Sequence, residues 1–208
     1  MAGRRGSGAT SEASAGRVIA GTARGIRLTG PAQGTRPLGD RAKQSLFAIL
    51  EPKLRGSLFV DLYAGSGAAG IEALSRGAAR AIFVERDARA VAAIARNLRA
   101  TGLADRADVV REAVAAWLAP RASPGVAPGT ATTIFVDPPY DAPDELRQAV
   151  DSIGRAGPGA ILAPAGTLVA KHARTTEIDP TPLLRSVRQE RFGDTILTFL
   201  RWADEVPA

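Results

Sequence analysis

The chain has 208 residues, 45% of them hydrophobic, with 27 Lys or Arg against 21 Asp or Glu, one histidine and no cysteine. That size and apolar content suit one globular domain with a sizeable core and a small appendage. The missing cysteines exclude disulfides, cysteine-ligated zinc, iron–sulfur clusters and a cysteine nucleophile, and the single His172 argues against a multi-histidine metal site and a histidine relay.

No apolar run approaches the roughly 20 residues needed to span a bilayer, and the N-terminal stretch lacks the apolar centre of a secretory signal. A cytoplasmic protein without membrane attachment or bound metal is the expectation. The net charge of +6 is unevenly spread: residues 1–56 hold ten Lys or Arg against three acids, whereas the rest holds 17 against 18. A basic leading segment on a near-neutral body points to a polyanionic partner, nucleic acid foremost. A plain solvated arginine surface is the alternative.

Residues 1–15 are rich in Gly, Ser and Ala without periodicity and are expected to form a disordered tail. Residues 16–56 make an N-terminal extension. In it, "RVIAGTARGIRL" (17–28) reads as two short strands around a glycine turn. "GDRAKQSLFAIL" (39–50) reads as a helix capped by Asp40, with Leu46, Phe47, Ile49 and Leu50 on its apolar face.

From 57 to 203 strands and helices alternate. Strands are predicted at 57–63, 81–86, 107–110, 133–136 and 166–172, and helices at 68–77, 87–102, 112–120 and 144–157. A Pro/Gly loop covers 121–132, and 185–202 reads as an antiparallel hairpin turning at Gly193 and Asp194. Repeated strand–helix units imply an α/β fold with a parallel sheet covered on both faces.

"DLYAGSGAAGIE" (61–72) joins a strand to a helix, and Gly65, Gly67 and Gly70 satisfy G-x-G-x-x-G. Such glycines permit a sharp turn and close approach of a ligand, and the helix start at Ala68 offers free N–H groups. Glu85 ends the next strand, 20 residues after Gly65. That is where an acid accepting ribose hydroxyls is expected. A dinucleotide and S-adenosylmethionine both fit. Asp61 helps to separate them, because a carboxylate at the strand mouth repels a pyrophosphate and attracts the ammonium of a methionine.

"IFVDPPY" (134–140) ends an apolar strand in Asp137, Pro138, Pro139 and Tyr140. The amine of a nucleobase is a poor nucleophile because its lone pair is delocalised into the ring. A carboxylate and a carbonyl that take its two hydrogens can aim the lone pair at a methyl group. Asp137 supplies the carboxylate, Pro138 a carbonyl on a stiff turn, and Tyr140 a face for stacking. The motif alone leaves adenine, cytosine, guanine or glutamine as the acceptor.

"RVIAGTARGIRL", "GTRPLGDRAKQSLF", "DLYAGSGAAGIEALSRGA", "FVERD", "DPPY" and "FGDTILTF", in this order, resemble the RsmD-type 16S ribosomal RNA guanine-N2 methyltransferases. These are class I enzymes dependent on S-adenosylmethionine, and the match runs over about 17–201. The resemblance implies a Rossmann-like fold with a mostly parallel seven-stranded sheet of order 3-2-1-4-5-7-6, strand 7 antiparallel. It implies S-adenosylmethionine as cofactor, methylation of a guanine N2 in 16S rRNA or the small ribosomal subunit, and catalytic residues Asp137, Pro138, Pro139 and Tyr140.

Cofactor contacts are implied at Asp61, Tyr63, Ala64, Gly65, Ser66, Gly67, Glu85 and Arg86, with the adenine near Glu112 and Ala113. RNA contacts fall to Arg17, Arg24, Arg27, Arg36, Asp40 and Arg41 of the basic segment. Three positions depart from the family pattern: Leu38 and Gln44 replace a threonine and a glutamate in the segment expected to close over cofactor and base, and Lys171 precedes His172 where glutamate is common. On this reading Lys171 and His172 take no catalytic part and His172 is structural. Trp117 and Trp202 pack the core, and Arg188 and Arg191 form a solvated strand face.

Nothing demands more than a monomer. The competing functions are a DNA adenine-N6 methyltransferase, a glutamine methyltransferase, which more often carries N-P-P-Y, and a nicotinamide dehydrogenase, which leaves Asp61 and "DPPY" unexplained.

Overall fold

The computed structural model describes residues 13–31, 38–119, 126–178 and 181–203. Nine strands and five α-helices follow in chain order. They are β1 (Ala13–Arg17), β2 (Arg27–Gly30), α1 (Asp40–Leu54), β3 (Leu58–Leu62), α2 (Ala68–Ser75), β4 (Arg80–Glu85), α3 (Ala88–Thr101), β5 (Ala107–Arg111), α4 (Val114–Trp117), β6 (Ala131–Val136), α5 (Pro143–Ala156), β7 (Leu162–Ala173), β8 (Leu184–Phe192) and β9 (Thr195–Trp202).

Seven strands form one sheet in the order β5-β4-β3-β6-β7-β9-β8, which, counting from β3, is the expected 3-2-1-4-5-7-6. The pairs from β5 to β7 are parallel, and β9 runs antiparallel to both β7 and β8. The sheet residues alternate with the period of two that a doubly covered sheet requires. Phe59, Phe83, Phe135, Val169 and Phe199 face one side, where Leu46, Phe47, Ile71 and Ile94 from α1, α2 and α3 pack on them. Val60, Ile82, Ile134, Leu168 and Leu200 face the other, against Trp117 of α4 and Leu146, Val150 and Ile153 of α5. Both tryptophans are core residues as expected, with Trp202 Nε1 donating to the Ala163 carbonyl at 3.0 Å. No described helix is long and apolar enough to cross a membrane.

The N-terminal hairpin is bolted to this body. Val18, Ala23 and Leu28 join the α1–α3 side of the core. Glu72, fully buried on α2, accepts from the N–H groups of Ile19 (2.7 Å) and Ala20 (3.0 Å) and from Arg76 Nε (2.7 Å). Ser75 Oγ accepts from Ala23 N–H at 2.9 Å and donates to the Ala20 carbonyl at 2.6 Å. Gly21 is forced here, because a Cβ would lie 1.9 Å from the Ser75 carbonyl oxygen. Asn97 of α3 accepts from Thr29 N–H and donates to the carbonyls of Thr29 and Ser66, so one amide ties the hairpin to the glycine loop.

Several boundaries differ from the sequence reading. The first strand is Ala13–Arg17, so Ala13 and Ser14 of the expected tail are paired with β2, while 1–12 lie outside the described residues. Asp40 does not cap α1: Gly39 holds the cap position and Asp40 instead accepts from Arg17 Nε at 3.1 Å. That helix runs past Pro52 to Leu54 because Leu50 and Leu54 are both buried, and one lost hydrogen bond in the last turn is offset by their packing. The helix expected at 112–120 is only Val114–Trp117.

Candidate active site

In an open parallel sheet the ligand sits beyond the carboxyl ends of the strands, at the point where the order reverses. Here that point lies between β3 and β6, and a cleft of about 260 Å³ opens there. It is lined by the strand-end acids Asp61, Glu85 and Asp137, by Tyr63, Ala64, Gly65, Ser66 and Arg86, and by Pro138, Pro139, Tyr140 and Lys171. Pro31 and Leu38, which flank 32–37, line it too. Arg36 lies outside the described residues.

Each acid has a distinct local job. Glu85 Oε2 accepts from Gly65 N–H at 2.8 Å and its Oε1 from Asp87 N–H at 2.9 Å, so this side chain sets the loop that would face a ribose. Asp61 is buried and accepts from Gly70 N–H at 2.9 Å. Burial pushes its carboxyl well above the usual range; the Gly70 bond opposes this, and the charges of Asp137 and Glu85 add to it. Asp137 Oδ1 accepts from Lys171 Nζ at 2.6 Å. Burial also raises this carboxyl, and the Lys171 charge and hydrogen bond pull it back.

The glycines serve packing as much as ligand approach. Gly67 has φ +77°, and a Cβ on it would press on Phe83 and Ile94 at 3.2–3.3 Å. On Gly70 it would lie 2.3 Å from the Phe83 ring. Gly67 and Gly70 therefore seat α2 on the sheet, and neither lines the cleft. Tyr63 carries the strain of the turn, as the one non-glycine at positive φ (60°) among the described residues. Its hydroxyl donates to the Glu145 carbonyl at 3.3 Å, and burial, with Glu145 beside it, pushes its pKa up to about 12.

A second cavity of about 140 Å³ shares Tyr63, Glu85 and Arg86 with the first and is closed by Ala113, Val114, Glu145 and Gln148. Arg86 reaches Glu145 Oε1 at 3.2 Å across it. Ala113 thus stands where the adenine end was expected. Glu112 does not line this cavity, and its N–H is held by the Glu85 carbonyl at 3.1 Å.

At the β6 tip the Pro139 carbonyl is taken by Ala142 N–H at 3.0 Å, whereas no donor reaches the Pro138 carbonyl among the described residues. Tyr140 is 38% exposed, with its hydroxyl 2.7 Å from Thr195 Oγ1. The described arginines of the basic segment do not line the cleft. Arg24, Arg27 and Arg41 are exposed, and Arg17 pairs with Asp40 at 3.0 Å. His172 is structural, with ring nitrogens at 2.8 Å from Thr198 Oγ1 and 3.0 Å from the Ala173 carbonyl. The sequence reading missed Lys171, whose partner becomes apparent only when β7 is laid beside β6.

Comparison with known proteins agrees with this geometry. The family model described as "Conserved hypothetical protein 95" matches residues 16–201. The Bacillus subtilis protein named "Putative rRNA methyltransferase YlbH" is 36% identical over 183 residues, 86% of this chain and 95% of that protein. Ribosomal RNA small subunit methyltransferase D of Escherichia coli is 39% identical over 125 residues, 60% of each chain. The solved structure of "Putative methyltransferase yhhF" from Escherichia coli superposes with a TM-score of 0.76 at 28% identity, covering 94% of this chain and all of that one. With a Rossmann-like sheet, three strand-end acids around one cleft and a family match over nearly its whole described length, the chain belongs to the conserved hypothetical protein 95 family, the RsmD-type rRNA methyltransferases.

Proposed function

We propose that this chain transfers the methyl group of S-adenosylmethionine to the exocyclic N2 of a guanine in the 16S rRNA of the small ribosomal subunit. The β6 tip carries the methylation of an amine, and the ribosomal RNA names of the relatives carry the choice of substrate. Asp137 and the Pro138 carbonyl are two acceptors side by side on a stiff turn, and Tyr140 presents an exposed ring next to them.

The residues present fit the cofactor. The two joined cavities, about 260 and 140 Å³, together suit a ligand of this size, for which pockets run from about 300 to 1,000 Å³. Glu85 has lone pairs left for ribose hydroxyls, Tyr63, Ala113 and Val114 offer an apolar slot for the purine, and Asp61 offers a buried negative charge for an ammonium. S-adenosylmethionine supplies a methyl group on a sulfonium sulfur, an electrophile that needs no further activation.

The chain then has to position the amine. Asp137 and Pro138 accept its two hydrogens, which turns the nitrogen lone pair toward the methyl group, and Tyr140 holds the base plane. No strong base is required, because the amine proton becomes acidic as the nitrogen gains the methyl group. The flank of exposed arginines, Arg24, Arg27 and Arg41, suits the RNA backbone. On this reading the chain acts as a monomer in the cytoplasm.

A DNA adenine-N6 enzyme would use the same β6 edge; the ribosomal RNA names of the relatives favour the rRNA reading. Tritiated-methyl transfer to naked 16S rRNA, small subunits, duplex DNA and a release-factor protein tests this directly. Label in the rRNA or subunit that stops reverse transcription at one guanine is expected, since N2 lies on the pairing edge. Label confined to DNA or protein would overturn the reading.

A further inference from the structure

The Asp137 carboxylate has a cation against it that the proposed transfer has not yet used. β6 and β7 are parallel with Val136 opposite Ala170, so the next residue on each chain, Asp137 and Lys171, fall side by side at the cleft edge. Lys171 is only 5% exposed; its Nζ lies 2.6 Å from Asp137 Oδ1 and 4.7 Å from the centroid of the Tyr140 ring. The Tyr140 hydroxyl is in turn 2.7 Å from Thr195 Oγ1, and Thr195 pairs with Ala173, two residues beyond Lys171. One buried ammonium thus touches both side chains assigned to the target base.

We propose that Lys171 is a positioning residue for methyl transfer: it occupies Asp137 Oδ1, keeps that carboxyl ionised, and leaves Oδ2 to take an amine hydrogen while its charge steadies the Tyr140 ring. The proposal rests on the role given to Asp137 under the proposed function.

The physical need is specific. A neutral carboxyl at this point would itself present a hydrogen and compete with the amine for acceptors. Burial drives Asp137 toward that neutral form. The groups around it are Asp61 on β3, whose own carboxyl is raised by the charges of Asp137 and of Glu85 on β4, Tyr140 on its own loop, and Lys171 on β7. His172 is occupied by Thr198 of β9 and the Ala173 carbonyl. Among the described residues Lys171 is the cation in contact with Asp137. An ammonium over an aromatic face in a partly dehydrated site is also favourable in its own right.

The test is ¹³C-carboxyl NMR of the full chain labelled at aspartate, with the Asp137 signal assigned through Asp137→Asn. The midpoint of the Asp137 titration should rise by about 1 to 3 pH units in Lys171→Met and Lys171→Gln and return toward the native value in Lys171→Arg. The acid limb of single-turnover methyl transfer should move with it, while S-adenosylmethionine affinity stays within about twofold. A purely structural lysine would change stability without moving that limb. Lys171→Gln, which retains donors without charge, carries the comparison if the methionine variant does not fold. An Asp137 midpoint equal in the wild type and the uncharged variants overturns the proposal. If the midpoint moves as expected but the wild type labels none of the rRNA substrates, the ion-pair effect on Asp137 holds and the failure belongs to the substrate reading.

Discussion

Asp61 and Asp137 end neighbouring parallel strands, and Asp137 N–H bonds the Leu62 carbonyl one residue past Asp61. Burial raises both carboxyls, yet their partners differ in kind. Asp61 has a backbone N–H from Gly70, nine residues on, which pins the start of α2. Asp137 has the ammonium of Lys171, from another strand. On the proposed function the same strand-end position serves two purposes: the carboxylate held by an amide inside the body shapes the cofactor loop, and the one held by a cation at the cleft edge faces the substrate.

Substitutions should separate the two sides of this contrast. Asp137→Ala should lower kcat by about a thousandfold or more, the order expected when an electrostatic positioning group is lost, with S-adenosylmethionine affinity nearly unchanged. Isothermal titration beside single-turnover transfer reads both. A near-native kcat would remove Asp137 from the mechanism.

Glu85→Ala should act on the opposite side. It strips the acceptor from Gly65 and Asp87, so cofactor Kd should rise by about 10- to 100-fold, and stability should fall by about 1–3 kcal/mol because two amides lose their partner. Equilibrium binding and urea unfolding measure these.

Asp61→Asn should weaken cofactor binding yet raise Tm, since asparagine can still accept from Gly70 without a buried charge. The sign follows from the raised carboxyl: its folded form holds a proton to higher pH than the unfolded one. The native protein therefore loses stability as pH rises from the ordinary carboxylate range through that raised value, and Asp61→Asn should abolish that part of the slope. Melting curves from pH 4 to 8 decide it; a lower Tm at neutral pH would show that the charge is not opposing folding.

Smaller effects belong to the base and backbone contacts. Tyr140→Ala should cost about 1–3 kcal/mol in apparent RNA affinity through lost stacking, whereas Tyr140→Phe, which loses only the Thr195 contact, should stay near the wild type. Arg24→Ala and Arg27→Ala should each reduce the salt slope of RNA binding by about one, with kcat unchanged. Unaltered slopes would detach the hairpin from RNA contact.

The parts of this site legible in the sequence were those written in local pattern. Strand-end acids at 61, 85 and 137, the glycine spacing and the rigid Pro138–Pro139 turn each report a βα connection by themselves. The contacts that escaped join residues far apart along the chain. Glu72 and Asn97 look like ordinary helix-face residues until the hairpin is docked on them, 52 and 68 residues away. Asp40 looked like a helix cap because nothing nearby competed for it, and Arg17, 23 residues upstream, took it. Lys171 looked like a departure without a role because its partner depends on the β6–β7 register. Gly67 and Gly70 were read as letting a ligand approach the backbone, but what approaches closely there is Phe83.

The central claim is that Asp137 presents a guanine amine of small-subunit rRNA to the methyl donor. Reverse transcription along the whole 16S rRNA, after one turnover with wild type and with Asp137→Ala at saturating S-adenosylmethionine, tests it most directly. The account predicts one new stop at a single guanine with the wild type and none with a variant that still binds the cofactor. An identical stop with Asp137→Ala, or wild-type methylation with no stop at any guanine, would contradict it.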